Sequence, residues 1–378
     1  MVYLDNAATT YPKPEPVYTA MDKANRELGV NAGRGSYKLA REASKLILDT
    51  KAMLRKLVHA DMNVAVVFTP SITIALNEII GGIKWHSNDI VYVSPYEHNA
   101  VARTLHLMVK KYGIVVKKIP LEEDGLDIDI DKMSYEFSKE RPRAVICTHI
   151  SNVTGYILPV EKIFKEAKKY NALTILDSAQ SLGLIPVNIK LLDADVVAFA
   201  GHKTLYGPFG IGGFLNISGV FLEETIVGGT GSDSLNLDMP AGNEAHYESS
   251  SANIVAIAGL HAALETLDQT SLFQKEKDLS DYLRKRLGEL SNVKVYLPRN
   301  EEDHVGIFSI QVENYMAEDI GTILDEEFDV AVRTGYHCAP WIHEYLGDIR
   351  TQGTVRISLG QFNSREDIDK LIEALETM

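Results

Sequence analysis

Apolar residues follow two different rhythms along this chain. Between about residues 64 and 216, short and nearly continuous apolar runs alternate with longer stretches of helical spacing. The runs VAVVF (64–68), DIVYVS (89–94), IVVKKI (114–119), RAVICTH (143–149), LTILD (173–177), DVVAFA (195–200) and IGGFLNI (211–217) read as strands. Near-continuous apolarity is what a strand needs when both faces of its sheet are covered. NAVARTLHLMVKKY (99–112) and VEKIFKEAKKY (160–170) lie between such runs and repeat apolar positions at three- and four-residue intervals, as helices do. This alternation predicts an α/β fold with a mostly parallel sheet and helices on both faces. Ligands of such sheets sit beyond the carboxyl ends of the strands.

A second rhythm fills about 275–378: helix (276–291), strand (293–297), strand (306–312), helix (317–327), strand (330–332), strand (353–359) and helix (364–376). That order predicts a small α+β unit. The stretch 228–254, rich in Gly, Ser, Asn and Asp, reads as a long functional loop.

Composition narrows the classes. A chain of 378 residues is long enough for one large domain and a smaller one. Its net charge of −14 argues against nucleic acid or an anionic membrane as the main partner. An anionic cofactor would need a local cluster of donors. Two cysteines, Cys147 and Cys338, imply no disulfide framework and make a reducing cytosol the default location. The first residues, MVYLDNAATTYPKP, lack the apolar stretch of a signal peptide, and no apolar run is long enough to span a bilayer.

The chemistry gathers at the predicted strand ends. LTILD closes on Asp177, a carboxylate that burial makes costly without a partner; a helix cap is the bland alternative. DVVAFA runs into GHKTLYGPFGIG, so Lys203 follows a strand within a Gly-rich loop. An exposed surface lysine is the alternative there. A desolvated lysine, however, loses its proton more easily, and the neutral amine is the form that condenses with an aldehyde. The pair is more telling than either residue, because pyridoxal 5'-phosphate needs a lysine for its aldehyde and an aspartate for its ring nitrogen. TPSITIALNEII follows the first strand, with Ser71 and Thr73 opening a helix whose N-terminus suits a phosphate.

The chain resembles the class V aminotransferase family, in its cysteine desulfurase and selenocysteine lyase branch. The resemblance runs over nearly the whole chain, on YLDNAAT (3–9), NAGRG (31–35), FTPSITIALN (68–77), YEHNA (96–100), THISNVTG (148–155), LDSAQ (176–180), FAGHKTLYGPFGIGG (199–213), YESSSAN (247–253), RTGYHCAP (333–340) and TVRISLG (354–360). It implies a fold-type I pyridoxal-phosphate enzyme. A large α/β domain (15–255) would hold a mostly parallel seven-stranded sheet, and a small α+β domain would combine 1–14 with 256–378. Lys203 would carry the cofactor and Asp177 would pair with its ring nitrogen. His98 would stack on the ring and move protons; Asn152 and Gln180 would bond the ring hydroxyl or the substrate. Ser71, Ile72, Thr73 and His202 would hold the phosphate. Ser251 would reach the phosphate of a partner subunit in a homodimer. Arg356 would clamp the substrate carboxylate, with Arg34 also at the substrate. Read from the residues alone, Arg356 could form a surface ion pair, but an arginine inside an apolar strand suits a carboxylate fork better.

Cys338 points to the specific reaction. The desulfurase segment it resembles places there a cysteine that takes up sulfur as a persulfide, and Arg333 and His337 stand beside it in sequence. An incidental loop thiol is the alternative. Cys147, flanked by Val145 and Ile146, reads as a core residue. The implied activity is conversion of L-cysteine to alanine with sulfur passed to Cys338 and on to an acceptor protein. The alternatives are a selenocysteine lyase, or another class V aminotransferase or lyase of a small amino acid. A non-enzymatic scaffold would predict loss of the lysine or the aspartate, and both are present. Four departures mark a side branch: Ser71-Ile72-Thr73 where Gly-Thr-Thr is common, Ala200 where a phosphate-binding serine is usual, Ser250-Ser251-Ala252 in place of Gly-Thr-Pro, and Thr204 added after the lysine.

Overall fold

All seven apolar runs of the central region become strands of one sheet in the computed structural model, which describes residues 1–33, 35–123, 125–231, 235–241 and 244–378. In chain order the strands are β1 (Val2–Tyr3), β2 (Ala65–Thr69), β3 (Ile90–Val93), β4 (Val115–Lys118), β5 (Ala144–Thr148), β6 (Leu173–Asp177), β7 (Val196–Ala200), β8 (Gly212–Asn216), β9 (Val293–Tyr296), β10 (Ile307–Val312), β11 (Val330–Ala331), β12 (Arg333–Gly335) and β13 (Thr354–Ser358). The large sheet has the order β2-β8-β7-β6-β5-β3-β4. β8 runs antiparallel to both of its neighbours, and every other pair is parallel.

The apolar runs bury both faces by strict alternation. Val145 and Cys147 of β5, Leu176 of β6 and Val197 of β7 enter one core. Ala144, Ile146, Ile175, Val196 and Ala198 enter the core on the opposite face. Each such fully buried branched side chain contributes about 1.5–3 kcal/mol, so the two cores define the register of the sheet. The helix Ile254–Thr266 adds Ala256, Ile257, Leu260 and Leu264 to the first of these cores. The next helix, Gln269–Gly288, already belongs by Leu279, Leu283 and Leu287 to a separate, smaller core. The changeover between large and small cores therefore lies between these two helices.

The small core sits on an antiparallel sheet of order β12-β13-β10-β9. The helices Ala317–Phe328 and Arg365–Glu376 cover it together with Gln269–Gly288. β1 pairs in parallel with β11 and carries Val2 and Leu4 into this core, so the chain's first residues are tied to its last third. The strand expected at 330–332 is found as β11, Val330–Ala331, and pairs with β1, whereas a further strand that was not expected, Arg333–Gly335, follows it and pairs with β13. Apolar periodicity could not show β12, because Arg-Thr-Gly contains no apolar residue.

Two features of the large sheet prepare the site. The outer edge of β2 is covered by carboxylates, with Val66 N donating to Glu244 Oε1 and Phe68 N to Glu248 Oε1, which removes an open edge. At its far end Ser71 caps the helix Ile72–Gly82, its Oγ accepting from Ile74 N at 3.3 Å. Gly212 lies against that cap, where a Cβ would stand 2.7 Å from Ile72 N, so only glycine allows the approach. Among the described residues no helix is long and apolar enough to cross a membrane.

Candidate active site

The carboxyl ends of β5, β6 and β7, the start of the helix Ile72–Gly82 and the strands β12 and β13 enclose a cavity of ≈ 190 Å³. Ser71, Ile72, Thr73, His98, Asn152, Asp177, Gln180, His202, Lys203 and Arg356 all line it, together with Arg333. A separate cavity of ≈ 420 Å³ holds Ser251, whose Oγ accepts from Asn31 Nδ2 at 3.0 Å. Within one chain Ser251 is thus not brought to Lys203. Arg34 lies outside the described residues.

Lys203 leaves β7 through a turn that is fastened from outside. The His202 carbonyl accepts from Thr10 N (3.2 Å), Thr9 Oγ1 (3.0 Å) and Lys13 Nζ (2.7 Å). The Lys203 carbonyl accepts from Thr10 Oγ1 (3.2 Å) and Tyr206 N (2.7 Å). The Thr204 hydroxyl donates to the Leu182 carbonyl (2.7 Å). Desolvation pushes the Lys203 amine down from 10.5 to about 8; Asp177 opposes this, while Arg356 and Arg333 add to it.

Asp177 ends β6 almost wholly buried, and its Oδ1 accepts from Ala179 N at 2.9 Å. Burial raises its pKa, against the Ala179 bond and the charge of Lys203. A cation held beside it would lower that pKa again. His98 caps the helix Asn99–Tyr112, with Nδ1 accepting from Ala100 N at 3.0 Å. That bond assigns the ring proton to Nε2. Burial, then Lys203, Arg333 and Arg356, depress His98 to about 3, so its imidazole is neutral.

The first-turn amides of Ile72 and Thr73, which a helix leaves without intrahelical carbonyls, line the cavity and can receive an anion. His202 adds a ring whose Nδ1 is buried with no partner among the described residues. Burial and the nearby Lys203 and Lys13 push this ring down to about 3, and it stacks on Phe209 at 4.7 Å. Ser71 Oγ is engaged as the helix cap, so Thr73 brings the hydroxyl not committed to that cap.

The opposite wall is cationic. Arg356 and Arg333 are directly opposed residues of β13 and β12. Like charges in such cross-strand positions repel unless anions separate them. Arg356 Nη1 donates to the Asn152 carbonyl at 3.0 Å and Nη2 to Asp5, while Nε is buried without a partner among the described residues. Arg333 Nη2 donates to Cys338 Sγ at 3.0 Å, so the thiol lies against a guanidinium that lines the cavity. Asn152 Nδ2 donates to the His337 carbonyl (2.8 Å), and Gln180 Nε2 to the Ala7 carbonyl (2.8 Å). Cys147 is fully buried in the core under β5.

Sequence reasoning gave no role to Asp5, Thr9, Thr10 or Lys13, yet these hold Arg356 and the Lys203 turn. The available signal was a dense polar run, DNAATTYPK, ahead of the first helix. Lys13 is itself pushed down to about 7 by burial. Glu97 was also missed. It is buried behind Asp177, accepts from Thr148 N at 2.7 Å and is raised to about 8 by desolvation.

Comparison with known proteins follows the same lines. The probable cysteine desulfurase of Methanothermobacter thermautotrophicus is 31% identical, over 99% of this chain and 94% of that protein. The probable cysteine desulfurase of Halalkalibacterium halodurans is also 31% identical, over 100% and 92%. The apo structure of cysteine desulfurase from Thermococcus onnurineus NA1 superimposes with a TM-score of 0.91 at 30% identity, covering 100% of this chain and 94% of that one. The sequence profile described as aminotransferase class-V matches residues 2–371, and the chain belongs to that family.

Proposed function

We propose that this protein is a pyridoxal-phosphate-dependent cysteine desulfurase, converting L-cysteine to L-alanine while Cys338 takes up the sulfur. The observation that carries the reading is the convergence of Lys203, Asp177, Arg356 and Arg333 on one cavity, with Cys338 Sγ hydrogen-bonded to Arg333. The named relatives support the same activity.

The residues present fit the cofactor. Lys203 offers a desolvated amine, and Asp177 a buried carboxylate that the charge of this lysine favours. The Ile72 and Thr73 amides, the Thr73 hydroxyl and His202 Nδ1, which has no partner among the described residues, would cradle the cofactor's phosphate. Ala200 contributes no hydroxyl there, which leaves the cradle more dependent on backbone donors. When bound, pyridoxal phosphate supplies an aldehyde for an amine and a protonated ring that draws electrons from the substrate's α-carbon.

Each residue then has a task. Asp177 would keep a proton on the cofactor's ring nitrogen. Arg356 orients the substrate carboxylate through its planar fork, including the otherwise unpaired Nε. Lys203 Nζ, neutral above about pH 8, removes the α-proton. His98 Nε2–H is the neutral donor on the same cavity wall. Cys338 Sγ would attack the substrate sulfur: the S–S bond forms as the C–S bond breaks, the bonding pair stays with the substrate's β-carbon, and a proton taken up there gives alanine with a persulfide left on the enzyme. Arg333 faces the charge that develops on that sulfur. Ser251 lines the second cavity, away from its own Lys203, which supports a role toward the partner protomer of a homodimer. An acceptor protein or thiol would then remove the sulfur.

The test is stoichiometric. Cofactor-loaded protein given L-cysteine and a thiol reductant should release alanine and sulfide in equal amounts, and Lys203→Ala should lower both by about 10³-fold or more. Conversion to the amine form of the cofactor without sulfide would mean transamination and sink the desulfurase reading.

A further inference from the structure

The turn that carries Cys338 is gripped at three successive carbonyls. The Tyr336 carbonyl accepts from Ala339 N at 2.9 Å and lies 3.0 Å from His343 Nε2. The His337 carbonyl accepts from Asn152 Nδ2 at 2.8 Å, and the Cys338 carbonyl from Asn99 N at 2.6 Å. Between these grips His337 and Cys338 have φ of 46° and 58°. Side chains other than glycine enter that left-handed region at a cost, and two in succession persist only where their surroundings hold them.

Two of the grips come from the cavity itself, through Asn152 and through Asn99 beside His98. The third comes from behind. His343 and Asp348 are both buried, Asp348 completely, and His343 Nδ1 lies 2.5 Å from Asp348 Oδ2. A carbonyl can only accept, so His343 Nε2 carries a hydrogen toward Tyr336. At the ring's other nitrogen, Nδ1 lies against Asp348 Oδ2. The imidazole is thereby fixed at both nitrogens. Asp348 Oδ1 is buried with no partner among the described residues. Such a group is expensive to bury, and neither residue belongs to the small apolar core. What the pair does touch is the turn of the thiol.

We propose that His343 and Asp348 are positioning residues for Cys338: the pair holds the Tyr336 carbonyl, and with it the two left-handed residues, so that Sγ stays against Arg333, which lines the Lys203 cavity. This rests on the reading of Cys338 as sulfur acceptor and deepens it. Asp348 orients the imidazole, the imidazole anchors the turn, and the turn aims the sulfur. Neither residue touches the substrate.

Cofactor-loaded His343→Ala, His343→Gln and Asp348→Asn would be compared with wild type and with Cys338→Ser. Sulfur gained by Cys338 in a single turnover would be read by mass, alongside KM for L-cysteine, cofactor absorbance and the rate of Cys338 alkylation by iodoacetamide. A misaimed nucleophile should lower the sulfur-gain rate of His343→Ala by about 10- to 100-fold. KM and absorbance should stay within about two-fold of wild type. His343→Gln, which keeps a donor for Tyr336, and Asp348→Asn, which keeps its shape, should recover part of the rate. Wild-type sulfur gain in His343→Ala overturns the inference. So does loss of cofactor absorbance in step with sulfur gain in all three variants, because the pair would then serve the fold as a whole. If Cys338→Ser itself releases sulfide at the wild-type rate, the underlying reading of Cys338 fails instead, and the positioning role falls with it.

Discussion

The two walls of the cavity solve different problems. On the large-sheet wall, Lys203, Asp177, His98 and His202 stand at strand ends or helix caps, and burial is the first cause of every shift in their pKa. That wall sets protonation states. On the small-sheet wall two arginines oppose each other across β12 and β13, and the thiol rides on a left-handed turn. That wall sets geometry and the placement of negative charge. A site so divided lets acid–base chemistry and sulfur transfer be altered separately.

The same contrast separates the two cysteines. Cys147 is sealed in the core under β5, where burial pushes its thiol well up from its ordinary value. Cys338 is half-buried on a loop and takes a guanidinium hydrogen bond. Nucleophilic sulfur needs access and positive charge, and only the second cysteine has both.

The sharpest way to separate the walls is Cys338→Ser. It should lower sulfide release by about 10²-fold or more while cofactor absorbance is retained, as checked by sulfide assay and spectrum. Retained sulfide release would mean that the small-sheet wall does not carry the chemistry.

Next in size is Arg356→Lys. Replacing the fork by a point charge removes a charged hydrogen bond, about 1.5–3 kcal/mol, so KM for L-cysteine should rise by about 10- to 100-fold. A fall in kcat with KM unchanged would instead assign Arg356 to the reacting atoms.

The large-sheet wall is tested by pH. Below about 8 the Lys203 amine is protonated, and above it neutral. The rate at which apo protein captures pyridoxal phosphate should therefore rise about ten-fold per unit up to that pH and level off above it. A rate still climbing near pH 10 would show that the amine behaves as an exposed lysine.

The smallest effect belongs to Cys147→Ala. Turnover should stay within about two-fold, and stability should fall by about 1 kcal/mol from the void left under β5, measured by denaturant unfolding. A larger loss of turnover would break the contrast between the cysteines.

The large-sheet wall was largely legible in the sequence, and the small-sheet wall less so. Continuous apolar runs gave the seven strands, and Asp177 and Lys203 fall at their ends, where ligands of parallel sheets sit. Arg356 stood out as a charge inside the apolar strand TVRISLG. Arg333 lies in a three-residue strand without an apolar residue, so its opposition to Arg356 depends on a pairing register that periodicity cannot give. The N-terminal residues Asp5 to Lys13 act through contacts some 190 to 350 positions away. Local pattern carries no trace of such contacts. The His343–Asp348 pair was hidden for the same reason, since two polar residues five positions apart read as surface until burial is known.

The most direct test is the mass of the two cysteine peptides after one turnover of cofactor-loaded protein with L-cysteine. The peptide holding Cys338 should gain one sulfur as alanine appears, and the peptide holding Cys147 should be unchanged. Alanine formed with no sulfur on Cys338, or sulfur found on Cys147, would contradict the division of labour between the two walls.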